Sequence, residues 1–154
     1  MSGLFRHTLA TLAYRAGKAL RGAPPEFAAY QADESSRTPA EILAHMGDLF
    51  DWAFSIAEGK PAWRDSRPLS WDAEVARFFA ALARFDERVR SAGLSGELEA
   101  KLFQGPVADA LTHTGQLAML RRMAGCACRG ENYYAAEIVT GRVGLEQAAP
   151  RREF

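Results

Sequence analysis

The apolar residues of this chain recur at helical spacing in blocks that end at glycine or proline, and no segment alternates with period two. That pattern makes strands improbable and confines the fold to packed helices. The first block runs from about Gly3 to Leu20, carries Leu4, Leu9, Leu12, Ala16 and Leu20, and stops at Gly22 before Pro24 and Pro25. Residues 23–38 read as a loop. Thr38 then supplies an N-cap, Pro39 the first helical position and Glu41 the third residue of a capping box, predicting a helix to about Glu58 that Gly59 ends. Ser70 caps a third block, Trp71 to Ala92, with Val75, Phe78, Phe79, Leu82, Phe85 and Val89 as its apolar stripe and Gly93 at its close.

Beyond Gly93, Ser95 to Phe103 predicts a short helix, and Pro106 opens a long block that ends at Gly125. Asn132 to Val139 has the length of one or two helical turns. Four long amphipathic helices predict an all-α fold, an antiparallel four-helix bundle. A chain of 154 residues suits one such domain, here residues 1–145, with residues 146–154 reading as a C-terminal tail.

Nineteen basic side chains balance nineteen acidic ones, which argues against a nucleic-acid partner held by bulk charge. No apolar run approaches the ~18–20 residues needed to span a bilayer. The first residues lack the pattern of a signal peptide, and Cys126 and Cys128 are too close in sequence for an easy mutual disulfide. A cytoplasmic location is the expectation.

Placing residues at 100° intervals around the Pro106–Ala124 helix puts Thr114, Arg121 and Arg122 on one side, expected to face solvent. Leu117, Leu120 and Met123 lie opposite, and Asp109, His113 and Gln116 fall on that same core-facing arc. Buried polar groups there need partners. The earlier helix carries His45 just inside the edge of an arc formed by Ile42, Met46, Leu49, Phe50, Ala53 and Ile56, with Glu41, Asp48 and Asp51 toward the other side. Asp109 and His113, at i and i+4, have Cβ atoms about 6 Å apart and can share one ion. With His45 they make a two-histidine, one-carboxylate set with coordination positions to spare. The same residues also suit a hydrogen-bonded pair in which Asp109 orients His113 and His45 is an unrelated boundary residue.

The stretch from Asp109 through His113, Gly115 and Gln116 to Gly125 resembles the signature helix of the DinB/YfiT-like family. The stretch from Thr38 through His45 to Trp52 is similar to that family's earlier histidine-bearing helix. The resemblance implies a bundle with a long crossover connection, often a homodimer, and a divalent metal held by three histidines. His45 matches the first of these and His113 the last, while Asp109 stands where the family has its middle histidine. That departure keeps a ligand but hardens the site, leaving zinc, nickel, manganese and iron as candidates. It also suits a metal-free cluster.

The resemblance further implies a thiol-dependent transferase or isomerase, or a hydrolase-like enzyme, acting on a small-molecule substrate with a low-molecular-weight thiol as possible partner. Gln116 is a candidate to orient Asp109 or touch substrate, Trp52 is a candidate beside it, and Trp52, Trp63 and Trp71 are candidate pocket walls or ordinary packing residues. Cys126 and Cys128 follow the end of a helix, where the dipole disfavours a thiolate. His7 reads as a surface residue, Arg121 and Arg122 as solvated or intersubunit charges, and Tyr133 and Tyr134 as residues closing one end of the bundle. The reading from another class is a non-enzymatic dimeric bundle, stress-associated or ligand-binding, whose Asp/His cluster only specifies packing.

Overall fold

Thr38 and Glu41 start the second helix as their spacing predicts: the Thr38 hydroxyl accepts the Glu41 amide proton at 3.3 Å, and Glu41 Oε2 accepts that of Thr38 at 2.7 Å. In the computed structural model, which describes residues 3–154, the chain forms α1 (Gly3–Leu20), a 3-10 turn (Pro25–Ala29), α2 (Pro39–Ala57), α3 (Trp71–Ala92), α4 (Gly96–Leu102), a π turn (Phe103–Val107) and α5 (Ala108–Met123). The fold is all-α, and no helix is long and apolar enough to cross a membrane. Leu9, Leu12, Leu43, Met46, Phe50, Phe78, Leu82, Phe85 and Leu117 make a shared, fully buried core. At the start of α1 Phe5 takes the inward place and Leu4 is 80% exposed, so the stripe there begins one residue later than expected.

Ion pairs between helices fix the polarity of the pairings. Along α2 and α3, Arg77 meets Asp48, Arg84 meets Asp51 and Arg88 meets Glu58, so residue numbers rise together and the two helices run the same way. The crossover of residues 58–70 makes that parallel pairing possible. Between α2 and α5 the order reverses: His45 meets Asp109, while Ile42, a turn earlier, shares a groove with Met119 and Leu120. The bundle is therefore antiparallel across α2 and α5 but not throughout.

A buried polar network holds the crossover. Arg77 donates to Glu74 Oε2 at 3.0 Å, to Asp48 Oδ1 at 3.1 Å and to the Ala44 carbonyl at 2.7 Å. Asp48 in turn accepts from the Ser66 amide and hydroxyl, and Glu74 accepts from the Leu69 amide. Burial pulls the Arg77 guanidinium down, but Glu74 and Asp48 outweigh it and hold its pKa above the ordinary guanidinium value. The guanidinium reaches this position over Gly47, where an added Cβ would lie 2.8 Å from its Cζ. Asp48, expected on the polar side of α2, is thus buried against α3.

Helix α5 does not begin at Pro106. Helical backbone runs on from α4 through the π turn, where the Ala108 amide bonds the Phe103 carbonyl, and Pro106 lies buried inside it. The wider i→i+5 turn leaves one residue without a donor role, which suits a proline. Nor do residues 132–139 form helix; a turn and bend over 133–136 are flanked by irregular backbone. The C-terminal residues pair back on the body, with Asn132 N–H donating to the Arg152 carbonyl at 2.9 Å and Phe154 N–H to Gly130 at 3.1 Å.

Under that pairing sits Glu131, which accepts from the Tyr14 hydroxyl at 2.5 Å and from Lys18 Nζ at 2.8 Å, while Lys18 also reaches Glu153 at 3.2 Å. Burial, and then Glu131 accepting its proton, push the Tyr14 hydroxyl up from its ordinary 10.0. Burial pulls Lys18 down, but Glu131 and Glu153 raise it, on balance, above 10.5. Both groups hold their protons more tightly folded than unfolded, so their contribution is complete below those ordinary values and is lost as pH rises past them. The urea midpoint should therefore fall between pH 8 and pH 11. Tyr14→Phe should start lower at pH 8 and decline less steeply; a decline as steep as that of the parent chain would show that Tyr14 is not a source of the alkaline loss.

Candidate metal centre

His45 comes from the middle of α2 and Asp109 and His113 from the first two turns of α5, at the edge where these helices face each other. The π turn sets the rotation of α5 just before Asp109. Asp109 Oδ2 lies 3.1 Å from His45 Nε2, and Oδ1 lies 3.4 Å from His113 Nε2. The two imidazoles meet edge to face with centroids 5.0 Å apart. One donor atom from each residue lies within 4.8 Å of the others, and among the described residues no other group of three histidine, cysteine or acidic side chains converges this way. The His45–Asp109–His113 group fits a divalent metal.

The site is a boundary, not a core. The His113 side chain is 12% exposed and that of Asp109 is 43% exposed. Gln116 is exposed, and its Oε1 lies 2.7 Å from His113 Nδ1, so it serves His113 rather than Asp109. With Nδ1 engaged by Gln116, Nε2 is the ring nitrogen that His113 turns toward the cluster.

On the opposite flank Trp63, carried by the crossover, packs edge-on against His45 at 5.7 Å, and Trp52 packs against Trp63 at the same distance. Trp63 Nε1–H donates to Asp65 at 3.2 Å. Trp71 is not part of this wall; it packs on Phe27. Two grooves open beside the cluster. One, of about 450 Å³, borders His113 and Gln116, and the other, of about 250 Å³, borders His45 and Asp48.

Chemical type misleads about the faces of α5. Thr114 is buried because its hydroxyl donates to the Ala110 carbonyl at 2.8 Å, which satisfies it within its own helix. Arg121 is also buried, donating to the carbonyls of Cys126, Ala19 and Arg21 and so closing the C-terminal end of α1. It is neither solvated nor free for a partner subunit. Met123, expected in the core, is 54% exposed.

Cys126 and Cys128 are free and half-buried. His7 Nδ1 contacts the Thr140 hydroxyl at 3.2 Å. Tyr133 packs against Tyr14 and under Arg15, while Tyr134 is fully exposed.

Compared with family models, curated proteins and solved structures, the chain matches none. What the site can do follows from its own atoms.

Proposed function

We propose that the chain is a divergent DinB/YfiT-like bundle that binds one divalent ion between His45, Asp109 and His113 and works as a thiol-dependent transferase or isomerase, or as a hydrolase, on a small molecule. The observation that carries this reading is the convergence of the three side chains, one donor atom from each lying within 4.8 Å of the others. His113 Nε2 lies 3.4 Å from Asp109 Oδ1, and His45 Nε2 lies 3.1 Å from Asp109 Oδ2. A divalent ion among these donors would be held from two helices at once. Two imidazole nitrogens and one carboxylate oxygen form a borderline set, which favours zinc or nickel and also admits manganese or iron.

A divalent ion, when bound, supplies Lewis acidity and lowers the pKa of a neighbouring thiol or water at neutral pH. The chain's residues do the rest. Gln116 orients His113 through Nδ1. Trp63, backed by Trp52, covers one edge of His45, and the exposed edge of Asp109 leaves the approach from solvent open. Replacing Gln116 with leucine should weaken zinc binding about 10–100-fold, the usual worth of such an outer hydrogen bond, in competition with a chromophoric chelator. Unchanged affinity would show that Gln116 does not orient the ligand.

One observation favours the other reading, a non-enzymatic bundle: His45 and Asp109 already lie at hydrogen-bond distance. Metal content of protein purified without a nickel column or chelator, for the parent chain and His113→Ala, separates the two. The metal-loaded protein is then assayed for thiol conjugation and ester hydrolysis, with the variant as control. Turnover that follows metal content supports the enzyme; full metal occupancy without turnover leaves a binding protein.

A further inference from the structure

The two grooves beside the cluster have one residue in common, Arg37, in the loop just before α2. Arg37 is exposed and has no hydrogen-bond or ion-pair partner among the described residues, whereas Arg6, Arg77, Arg88 and Arg121 are each held by a carboxylate or a carbonyl. The acidic groups bordering the smaller groove are occupied: Asp48 by Arg77 and Ser66, Glu41 by the Thr38 amide, Asp65 by the Trp63 indole. Arg67 on the same rim is exposed and unpaired among the described residues as well. Arg37 and Arg67 are therefore the charged groups bordering this mouth that have no partner among the described residues.

The larger groove combines Arg37 with an apolar wall. Met119 and Leu120 line it beside His113 and Gln116 on α5, with Ile42 across from them on α2, and Met119 is 56% exposed although it is a large apolar side chain. Its volume of about 450 Å³ is in the range of small-molecule sites. An unbranched, flexible methionine is suited to adapt to an apolar guest. A guanidinium without a partner, at the rim of an apolar trough, selects a molecule with an anionic head and a hydrocarbon body.

We infer that Arg37 and the groove between α2 and α5 bind a small molecule that joins a carboxylate to an apolar body, with the carboxylate held at Arg37 and the body along Ile42, Met119 and Leu120. This names the substrate class of the proposed metal centre and takes its functional meaning from that reading, although the binding itself requires only the groove and Arg37.

The test is calorimetric titration of chelator-treated protein with octanoate, octanol and octylamine. Removing metal first ensures that the carboxylate is not simply captured by an ion. Octanoate should bind saturably, with octanol and octylamine each at least about tenfold weaker, the usual worth of a charge-assisted hydrogen bond. Arg37→Gln should lose a similar factor for octanoate and none for octanol, and Arg90→Gln, which lies outside both grooves, should match the parent chain. Because Arg37 is exposed, the substitution should leave the far-ultraviolet circular dichroism unchanged. Octanol binding as well as octanoate, an Arg37→Gln variant equal to the parent, or no saturable octanoate binding would each overturn the inference. A parallel zinc titration keeps the two readings apart: octanoate binding in a chain that takes up no zinc supports the groove and overturns only the metal centre.

Discussion

Protein purified without a nickel column or chelator should carry close to one divalent ion per chain, and His113→Ala should carry almost none. The expectation rests on the geometry: three donor atoms within 4.8 Å of one another, drawn from two helices that the core already holds in place. Little reorganisation is then needed on binding, and loss of one donor in three cannot be made good by a neighbour. Because even the hydrogen bonds behind metal ligands are worth about 10–100-fold in affinity, deletion of a ligand should cost at least about a hundredfold. His113 sits at the edge of the bundle, and alanine is the best helix former, so the variant should remain helical. Elemental analysis gives the occupancy and circular dichroism checks the fold. A parent chain that stays empty after incubation with zinc, nickel, manganese and iron(II) would sink the metal centre. Asp109 would then be a structural partner of the two histidines, and His113→Ala would show itself mainly as a loss of stability.

The largest effect on stability should come from Arg77→Met, about 3–5 kcal/mol, the range for removing one partner of a buried ion pair. Glu74 is fully buried and Asp48 nearly so, and each would lose the guanidinium that pairs with it. Methionine fills much of the space and cannot replace that pairing. A urea titration reads the change as a lowered midpoint at constant slope. The double variant Arg77→Met with Glu74→Gln should recover part of the loss, because one buried charge has gone with its partner. A loss under 1 kcal/mol in Arg77→Met would mean that water reaches these carboxylates and the network is not buried in solution. The network also ties Ser66 and Leu69 of the crossover to the helices, so this variant should loosen the segment that carries Trp63 over His45. Its stability loss and any loss of metal would then be coupled through the crossover.

The helices were legible because their signals are local. Ser70, Thr38 and the glycines at 22, 59, 93 and 125 act within a turn of themselves, and each of these glycines adopts a positive φ of the kind that side chains avoid. The all-α class followed from them, as did the blocks now seen as α1, α2 and α3. His45, Asp109 and His113 were also within reach, because i and i+4 spacing on one helix places two side chains together whatever the fold. That His45 joins them depends on α2 packing against α5, which its position on the apolar edge suggested but did not fix.

The rest depended on tertiary structure. Whether a polar side chain is buried is decided by its partners, and these lie far along the chain: Arg121 is satisfied by carbonyls at the end of α1, Asp48 by Arg77 and Ser66, and Lys18 by Glu131 and Glu153. Reading polarity as exposure therefore put Arg121 and Asp48 on the wrong side, and Thr114 too, although its partner is the Ala110 carbonyl of its own helix. The π turn that absorbs Pro106, the parallel run of α2 and α3 and the docking of the last residues onto Gly130–Asn132 are likewise settled by packing. By itself the sequence determined where helices start and stop, and which side chains on one helix stand a turn apart, because those interactions close within a few residues. Only the tertiary structure decided which charges are buried and what stands opposite His113, because those energies arise between residues that the chain brings together from a distance.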